Sequence, residues 1–394
     1  MQIGPRIPRI RAAGSDGWEI VYRARALMAA GEPVMNLTIG EPDRTTDPRV
    51  LTAMHEAAMG GLTGYTFGPG LPELRRAIAE RVTARTGTPT APENVIVTPG
   101  GQAALFAAHM VLLSEGDTGL YVTPHYPTYP STILATGATP VAVAASAESG
   151  FQPTAAAVLA AQARTGARSL LINTPNNPTG VVYTPATVEA IAGACRAADL
   201  WLISDEVYDT QVWEGRHLSP RSLPGMAERT VVIGSMSKSH AMTGSRLGWL
   251  VAPTEVIEAA TVLATNTTYG VVPYIQKGAL AALDLGPGFE EEIAAPFRRR
   301  RALVQAAVAG SAIVSTAPAA GAMYVMLDIR ATGLSGEAFA RRLIEEKRIA
   351  VMPGESFGAA AAGHLRIALT QPDEVLSAAI TELVAFAEAL VPAQ

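Results

Sequence analysis

The run Ser235-Met236-Ser237-Lys238-Ser239-His240-Ala241-Met242-Thr243-Gly244-Ser245-Arg246 follows Thr230-Val231-Val232-Ile233-Gly234, a short apolar segment that ends in glycine. The pair reads as a strand, Val231 to Gly234, delivering a hydroxyl-rich loop with Lys238 on it. The chain holds 27 arginines and only three lysines, so arginine evidently would not do at this position. An ammonium can lose its proton when desolvated and then attack a carbonyl carbon, whereas guanidinium stays protonated and cannot. Ser235, Ser237 and Arg246 add two hydroxyls and a cation suited to a phosphate. A surface turn with a solvated lysine is the plainer alternative. Lys277 and Lys347, each in a helical pattern, fit that description.

Two further strands end in the same manner. Ser169 to Asn173 runs into Asn173-Thr-Pro-Asn-Asn-Pro-Thr-Gly180, and Leu200 to Ser204 runs into Asp205-Glu-Val-Tyr208. From Val141 to Leu285 strands and helices alternate, the pattern of an α/β protein with a doubly wound or mixed parallel sheet. Ligands bind outside the carboxyl ends of such strands, so these three polar groups are predicted to converge. Asp205 ends a buried strand, where its carboxylate needs a partner to offset desolvation. A protonated ring nitrogen would serve, and so would a helix N-cap or an ion pair. Upstream, the strand Val95 to Thr98, the turn Pro99-Gly100-Gly101-Gln102 and the apolar helix Ala103 to Leu113 outline a phosphate cradle, with free backbone N–H groups at the positive end of a helix dipole. Glycine required for steric reasons alone gives the same turn. The strand Gly119 to Thr123 leads into Pro124-His-Tyr-Pro-Thr-Tyr129, where Tyr126 is either a flat surface for a ring or a loop anchor.

Residues 1–16 lack periodicity and are predicted to be an arm, of the kind that lies on a partner subunit. Residues 18–30 read as a helix stopped by Gly31, Val34 to Ile39 as a strand, and Gly40-Glu41-Pro42 as a turn. A helix over 47–59 begins with Asp47 as N-cap and Pro48 at its first position, and another starts near Pro72. After Gly286-Pro-Gly288 the pattern changes. A long helix, Phe289 to Val308, precedes strands near Ile313 and at Met323 to Ile329, a helix from Ser335 to Lys347, the strand His364 to Leu369 and a last helix from Pro372. The resulting division is an N-terminal segment 1–45, a large domain 46–285 and a smaller α+β domain 286–394. Arg366, on an otherwise apolar strand, calls for a carboxylate, either a structural partner or a substrate.

Hydrophobic residues make up 48% of the 394 and charged residues 16%, the balance of a well-buried α/β enzyme. A net charge of −5 with no dominant basic patch argues against nucleic-acid or anionic-membrane partners. Arg298 to Arg301 read as a solvated helix face. The single cysteine, Cys195, excludes an intramolecular disulfide and reads as passive packing in an alanine-rich helix. No apolar run reaches the roughly 18 to 20 residues of a membrane span, and no signal-peptide core is seen, so a cytoplasmic enzyme is expected.

Together, Asn176-Asn-Pro-Thr-Gly180, Asp205-Glu-Val-Tyr208 and Ser235-x-Ser-Lys238 followed by Arg246 resemble the fold-type I, pyridoxal-phosphate-dependent aminotransferases of class I/II, the aspartate aminotransferase superfamily. The resemblance runs from Gly40-Glu41-Pro42 through Tyr65 and Leu74-Arg75 to Arg366. It implies a mostly parallel, seven-stranded sheet flanked by helices, with the N-terminal segment joining the C-terminal part in the smaller domain. It also implies that Lys238 holds pyridoxal 5'-phosphate covalently and moves the substrate proton, while Asp205 keeps the ring nitrogen protonated. Tyr208 and Asn177 would hydrogen-bond the ring oxygen and Tyr126 would stack on the ring. The phosphate would take the Gly101 and Gln102 N–H groups, Ser235, Ser237, Arg246, and Tyr65 from the other subunit of a homodimer. Arg366 would clamp the substrate α-carboxylate with Asn177 beside it and Gly40 closing over the top.

The activity so implied is ping-pong transfer of an α-amino group from an amino acid to a 2-oxo acid. One departure is Ser245, which stands where such proteins often carry an aromatic before the phosphate arginine. The runs Ser237-Lys-Ser-His-Ala-Met-Thr-Gly244 and Asp199-Leu-Trp-Leu-Ile-Ser-Asp-Glu-Val-Tyr208 are similar to bacterial arginine:pyruvate transaminases. That likeness implies arginine or another L-amino acid as donor, and pyruvate or 2-oxoglutarate as acceptor. Glu19 or Asp16 would then supply an acid for a cationic side chain, unless Glu19 is an ordinary exposed helix residue. An aspartate or aromatic aminotransferase and a β-lyase on the same scaffold are the alternatives. A non-catalytic sensor would need a DNA-binding module, for which about fifteen residues ahead of the first helix are too few.

Overall fold

Strand ends decide where the chemistry of this chain can sit, and the computed structural model, which describes residue 4 and residues 6–13, 18–66 and 68–391, aligns them. A two-residue strand, β1 (Met35–Asn36), comes first. A seven-stranded sheet then holds β2 (Val95–Thr98), β3 (Thr118–Thr123), β4 (Thr139–Ala144), β5 (Ser169–Asn173), β6 (Trp201–Asp205), β7 (Thr230–Ser235) and β8 (Gly248–Val251) in the order β2-β8-β7-β6-β5-β3-β4. Only β8 runs against the rest, pairing antiparallel with β2 and β7. The α/β fold class expected from the sequence is therefore the one observed. Strands β2, β5, β7 and β8 are buried along their whole length, which is why they read as continuous apolar runs. A smaller sheet is built from β9 (Ser315–Thr316), β10 (Tyr324–Asp328), β12 (Met352–Pro353) and β13 (His364–Ala368), while β11 (Ile349–Ala350) pairs in parallel with β1.

Helices α1 (Arg6–Ala13), α2 (Trp18–Ala29), α3 (Pro48–Met59), α4 (Pro72–Thr86) and α5 (Gly101–Leu112) frame the first half. Asp47 caps α3 by accepting from the Arg49 N–H at 2.8 Å, with Pro48 at the first position as expected. Gly100, at φ 85°, lets α5 start two residues earlier than its apolar pattern indicates.

Several expectations are corrected. The N-terminal stretch contains the helix α1 instead of an irregular arm. It packs on the helix Tyr129–Thr136, a tertiary contact that local periodicity does not encode. Lys238 lies on a one-turn helix, Met236–Ser239, capped by Ser235, and not on an open loop. Strand β1 is shorter than Val34 to Ile39 because its partner β11 offers only two residues. Of the four arginines of the long helix Gly286–Val308, expected as a solvated face, Arg298 and Arg299 are exposed while Arg300 and Arg301 are not. Arg300 is 4% exposed and bridges Asp43 at 2.6 Å and Asp373 at 3.0 Å, while Arg299 pairs with Asp373, Arg301 with Glu214 and Arg298 with Glu291.

Lys277 and Lys347 form surface pairs with Glu73 and Glu382. Cys195 is buried in the helix Pro185–Ala197, and burial pushes its thiol up to about 12, which keeps it unreactive. Among the described residues no helix is long and apolar enough to cross a membrane.

Register brings the polar strand ends level. Asn173 lies opposite Asp205, and Asp205 opposite Ile233. Ser235 and Thr98 both lie opposite Gly248. A Cβ on Gly248 would come within 2.6 Å of Gly100 C and Gly101 N, so only glycine lets the turn before α5 settle beside β7. Arg300 in turn ties the segment after Glu41 to the last helix, Asp373–Ala389. Arg300→Ala leaves two carboxylates facing each other, and urea unfolding should show a loss of about 3 kcal/mol. The exposed neighbour Arg298→Ala should stay within roughly 0.5 kcal/mol.

Candidate active site

Asn177, Asp205, Tyr208, Ser235, Ser237, Lys238 and Arg246, drawn from the ends of three strands, line one cavity of about 350 Å³. Gly40, Gly101, Gln102, Tyr126 and Arg366 line it too, so the predicted convergence is realised. The cavity is within the size range of small-molecule and cofactor sites.

Asp205 is 8% exposed at the end of β6. Its Oδ2 accepts from the Tyr129 hydroxyl at 2.7 Å and its Oδ1 from the Val207 N–H at 3.3 Å. No Lys, Arg or His lies within ion-pair distance among the described residues. Burial raises its carboxyl to about 6, against the lowering effect of the Tyr129 and Val207 bonds. A buried carboxylate lacking a cation suits a ligand that brings a protonated ring nitrogen.

Arg366, on β13, is the opposite case. It is 6% exposed, held between the rings of Tyr324 (4.5 Å) and Phe357 (4.7 Å). Its Nη1 donates to Asn177 Oδ1 at 3.0 Å, its Nη2 donates to the Thr38 carbonyl, and its Nε has no partner. No carboxylate pairs with it among the described residues, which disposes of the structural salt bridge. Asn177 is in turn fixed by Asn173, whose Oδ1 accepts the Asn177 N–H at 2.8 Å and whose Nδ2 donates to the Asp205 carbonyl at 2.9 Å.

Lys238 lines the same cavity. Its Nζ donates to the Gly40 carbonyl at 2.5 Å. Burial lowers its pKa, with Arg366 and Arg246 adding to the effect and Tyr324 and Glu41 opposing it. The amine therefore sheds its proton more readily than an ordinary lysine, as a nucleophile or proton carrier requires. Tyr208 shares a hydrogen bond of 3.1 Å with Tyr324, hydroxyl to hydroxyl. A Cβ on Gly40 would overlap that Tyr324 hydroxyl, so glycine is obligatory where the chain crosses the cavity.

A second cluster collects donors for an anion. Gly101 and Gln102 open α5, where the first N–H groups have no intrahelical acceptor. Gly101 packs beside Ser235, whose hydroxyl bonds that of Ser237 at 3.0 Å. Arg246, with φ 49°, is held by the Thr243 carbonyl at 2.8 Å and lies against Gly100. Two serine hydroxyls, helix N–H groups and a guanidinium are the donor set of a phosphate site. With Asp205 and Lys238 they fit a pyridine ring that carries an aldehyde and a phosphate.

Two sequence-derived candidates are not brought in. Tyr65 is 77% exposed and packs on Tyr269 with ring centroids 5.1 Å apart, outside the cavity of its own chain. Glu19 is exposed and pairs with Arg341 at 2.9 Å. Trp18 and Val21, one helical turn apart on α2, face the cavity, which turns the side chain at 19 outward. Asp16 lies outside the described residues. Conversely, Tyr129, Tyr324, Trp18 and Glu41 line the cavity and were missed as site residues. Tyr129 falls three residues after Tyr126 on a helical turn, the one signal that could have singled it out.

A family model described as aminotransferase class I and II matches residues 32–383. An arginine–pyruvate transaminase of Pseudomonas aeruginosa is 41% identical over 93% of both chains. An aspartate/prephenate aminotransferase of Thermus thermophilus is 35% identical over 91% of this chain and 92% of its own. The solved aspartate aminotransferase from Thermus thermophilus with maleate superposes with a TM-score of 0.91 at 33% identity, covering 98% of this chain and all of the other.

The raised Asp205 carboxyl fixes the sign of a pH effect. Its ionisation opposes folding above pH 6 and is absent below about 4, because the group is protonated there in both states. In ligand-free protein Asp205→Asn should add about 3 kcal/mol of stability at pH 8. Urea unfolding across pH should show that gain shrinking through pH 6 and vanishing near pH 4.

Proposed function

The chain belongs to the class I and II aminotransferases and is a pyridoxal-phosphate-dependent transaminase acting on amino acids and 2-oxo acids, and on that premise we propose arginine as its amino donor and pyruvate as its acceptor. The observation that carries the choice is the 41% identity to an arginine–pyruvate transaminase over nearly the whole chain. The cavity agrees with it. Besides Lys238, Arg246 and Arg366 it holds no cation among the described residues to receive a side-chain carboxylate.

Bound here, pyridoxal phosphate supplies an electron sink that lets the Cα–H bond of an amino acid break, and it stores the amino group between the two half-reactions. The residues divide the remaining work. Lys238 would hold the cofactor, and its amine, with a pKa lowered by burial, would carry the proton taken from Cα. Asp205 keeps the ring nitrogen charged, fixed in place by Tyr129. Tyr208 and Asn177 hydrogen-bond the ring oxygen, and Tyr126 covers the ring face. Gly101, Gln102, Ser235, Ser237 and Arg246 take the phosphate. Arg366, with Asn177, takes the substrate α-carboxylate beneath Gly40, and enclosure of these charges excludes water, which strengthens each contact.

A homodimer with shared sites is the reading that Tyr65 supports, because the side chain is exposed on its own chain and lies outside that chain's cavity. The segment 1–45 and residues 286–394 would close as one smaller domain on the domain 46–285, consistent with the β1–β11 pairing.

Purified protein with pyridoxal phosphate, arginine and pyruvate should form alanine in step with arginine loss, read by chromatography. Lys238→Ala should lower that rate by about 10³-fold or more. Faster turnover of aspartate or an aromatic amino acid than of arginine would overturn the donor assignment.

A further inference from the structure

Five charged side chains line the cavity: Glu41, Asp205, Lys238, Arg246 and Arg366. The cofactor engages Asp205, Lys238 and Arg246, and the substrate carboxylate engages Arg366. Glu41 is left over. Its Oε1 accepts from the Thr243 hydroxyl at 2.7 Å, which fixes the carboxylate, and its Oε2 has no donor among the described residues. It follows Gly40, whose carbonyl lies 2.5 Å from the Lys238 amine. The leftover acid thus begins one residue from the reacting nitrogen, within span of a long unbranched side chain.

The aromatic lining leaves a remainder as well. Tyr126 is assigned to the ring face, Tyr129 to Asp205 and Tyr208 to the ring oxygen, and Tyr324 and Phe357 enclose Arg366. Trp18, the first residue of α2, has no ring or cation partner among the described residues and is 44% exposed at the cavity. Indole gives the strongest face for a cation among the aromatic side chains. A guanidinium is planar, stacks on such a face and offers a fork of donors to a carboxylate.

We propose that Trp18 and Glu41 together are the specificity-determining residues for the substrate side chain, the indole face stacking on a guanidinium while the Glu41 carboxylate accepts its N–H donors. The assignment rests on arginine being the donor. It places the specificity on α2 and on the turn after β1, and it replaces Glu19 as the acid that reads the side chain.

Holoenzyme kinetics with arginine and with citrulline, its neutral isostere, test the proposal, because citrulline replaces one NH2 group of the side-chain head by a carbonyl oxygen and so loses the charge and two N–H donors. The wild type should favour arginine in kcat/KM. Trp18→Ala should shrink the arginine-to-citrulline ratio about tenfold, mostly through the KM for arginine, and Trp18→Phe should restore part of it. Glu41→Gln should shrink the ratio by a similar or larger factor, as loss of a charge-assisted bond does. Ratios within one enzyme sample are independent of how much of a variant folds. A wild type that turns over both amino acids equally defeats the arginine assignment and this proposal with it. A wild type that prefers arginine, with variants whose ratio is unchanged, overturns the proposal and leaves the arginine assignment standing.

Discussion

Two buried charges of opposite sign share one cavity and are kept from neutralising each other. Asp205 and Arg366 are both almost wholly buried, and neither has an oppositely charged partner among the described residues. Between them stand Asn177 and Asn173, neutral groups that bond to the guanidinium at one end and to the Asp205 backbone at the other. Desolvating a charge without a partner costs several kcal/mol, so these two groups destabilise the part of the fold that holds them. In the proposed reading, a zwitterionic substrate on a pyridinium cofactor would relieve both charges at once. Binding energy is thereby built into the fold before any ligand arrives.

The spacing of those charges depends on backbone approaching backbone. Strands β5, β6 and β7 run in parallel with their polar ends in register, and the glycine turn before α5 joins them only because Gly248 offers no side chain. Gly40 performs the equivalent service from the other side, passing under the Tyr324 hydroxyl so that its carbonyl meets Lys238. Arg246 is a non-glycine residue held at φ 49°, a conformation that persists where the surroundings over-determine it. Its short turn from Thr243 aims the guanidinium back at Gly100, which accounts for how Arg246 keeps its place next to Ser245.

Much of this was legible in the sequence, and the legible parts are local. Strand ends at Asn173, Asp205 and Ser235 follow from apolar runs that stop at polar residues, and the odd lysine among arginines marks Lys238. What escaped depends on contacts between distant segments. Tyr129 matters because a helix after β3 lays its hydroxyl on the end of β6. Tyr324 matters because β10 lies beside β13 and brings the ring over Arg366. Arg300 looked like one of four solvated cations until the last helix and the residue after Pro42 supplied its carboxylates. Of the two readings that Glu19 allowed, the ordinary exposed helix residue is the one observed, one position and a rotation of roughly 100° from Trp18 at the cavity, which no composition argument resolves.

Glu41 and Asp205 show how burial divides labour between like groups. Both are carboxylates lining the same cavity. Asp205 is sealed from water, so its ionised form is costly unless a cation is permanently at hand, which is the requirement a resident cofactor meets and a transient substrate does not. Glu41 is exposed, and among the described residues its one hydrogen bond is to Thr243, while its charge also acts on the Lys238 amine. It can wait without cost for a cation that comes and goes each turnover. For the arginine donor and pyruvate acceptor proposed above, a deep, permanently paired charge would hold the donor and block the smaller acceptor, whereas an acid at the mouth would let it leave. Placing one carboxylate at the end of a buried strand and the other on a solvent-facing turn lets a single cavity keep its cofactor while releasing its products.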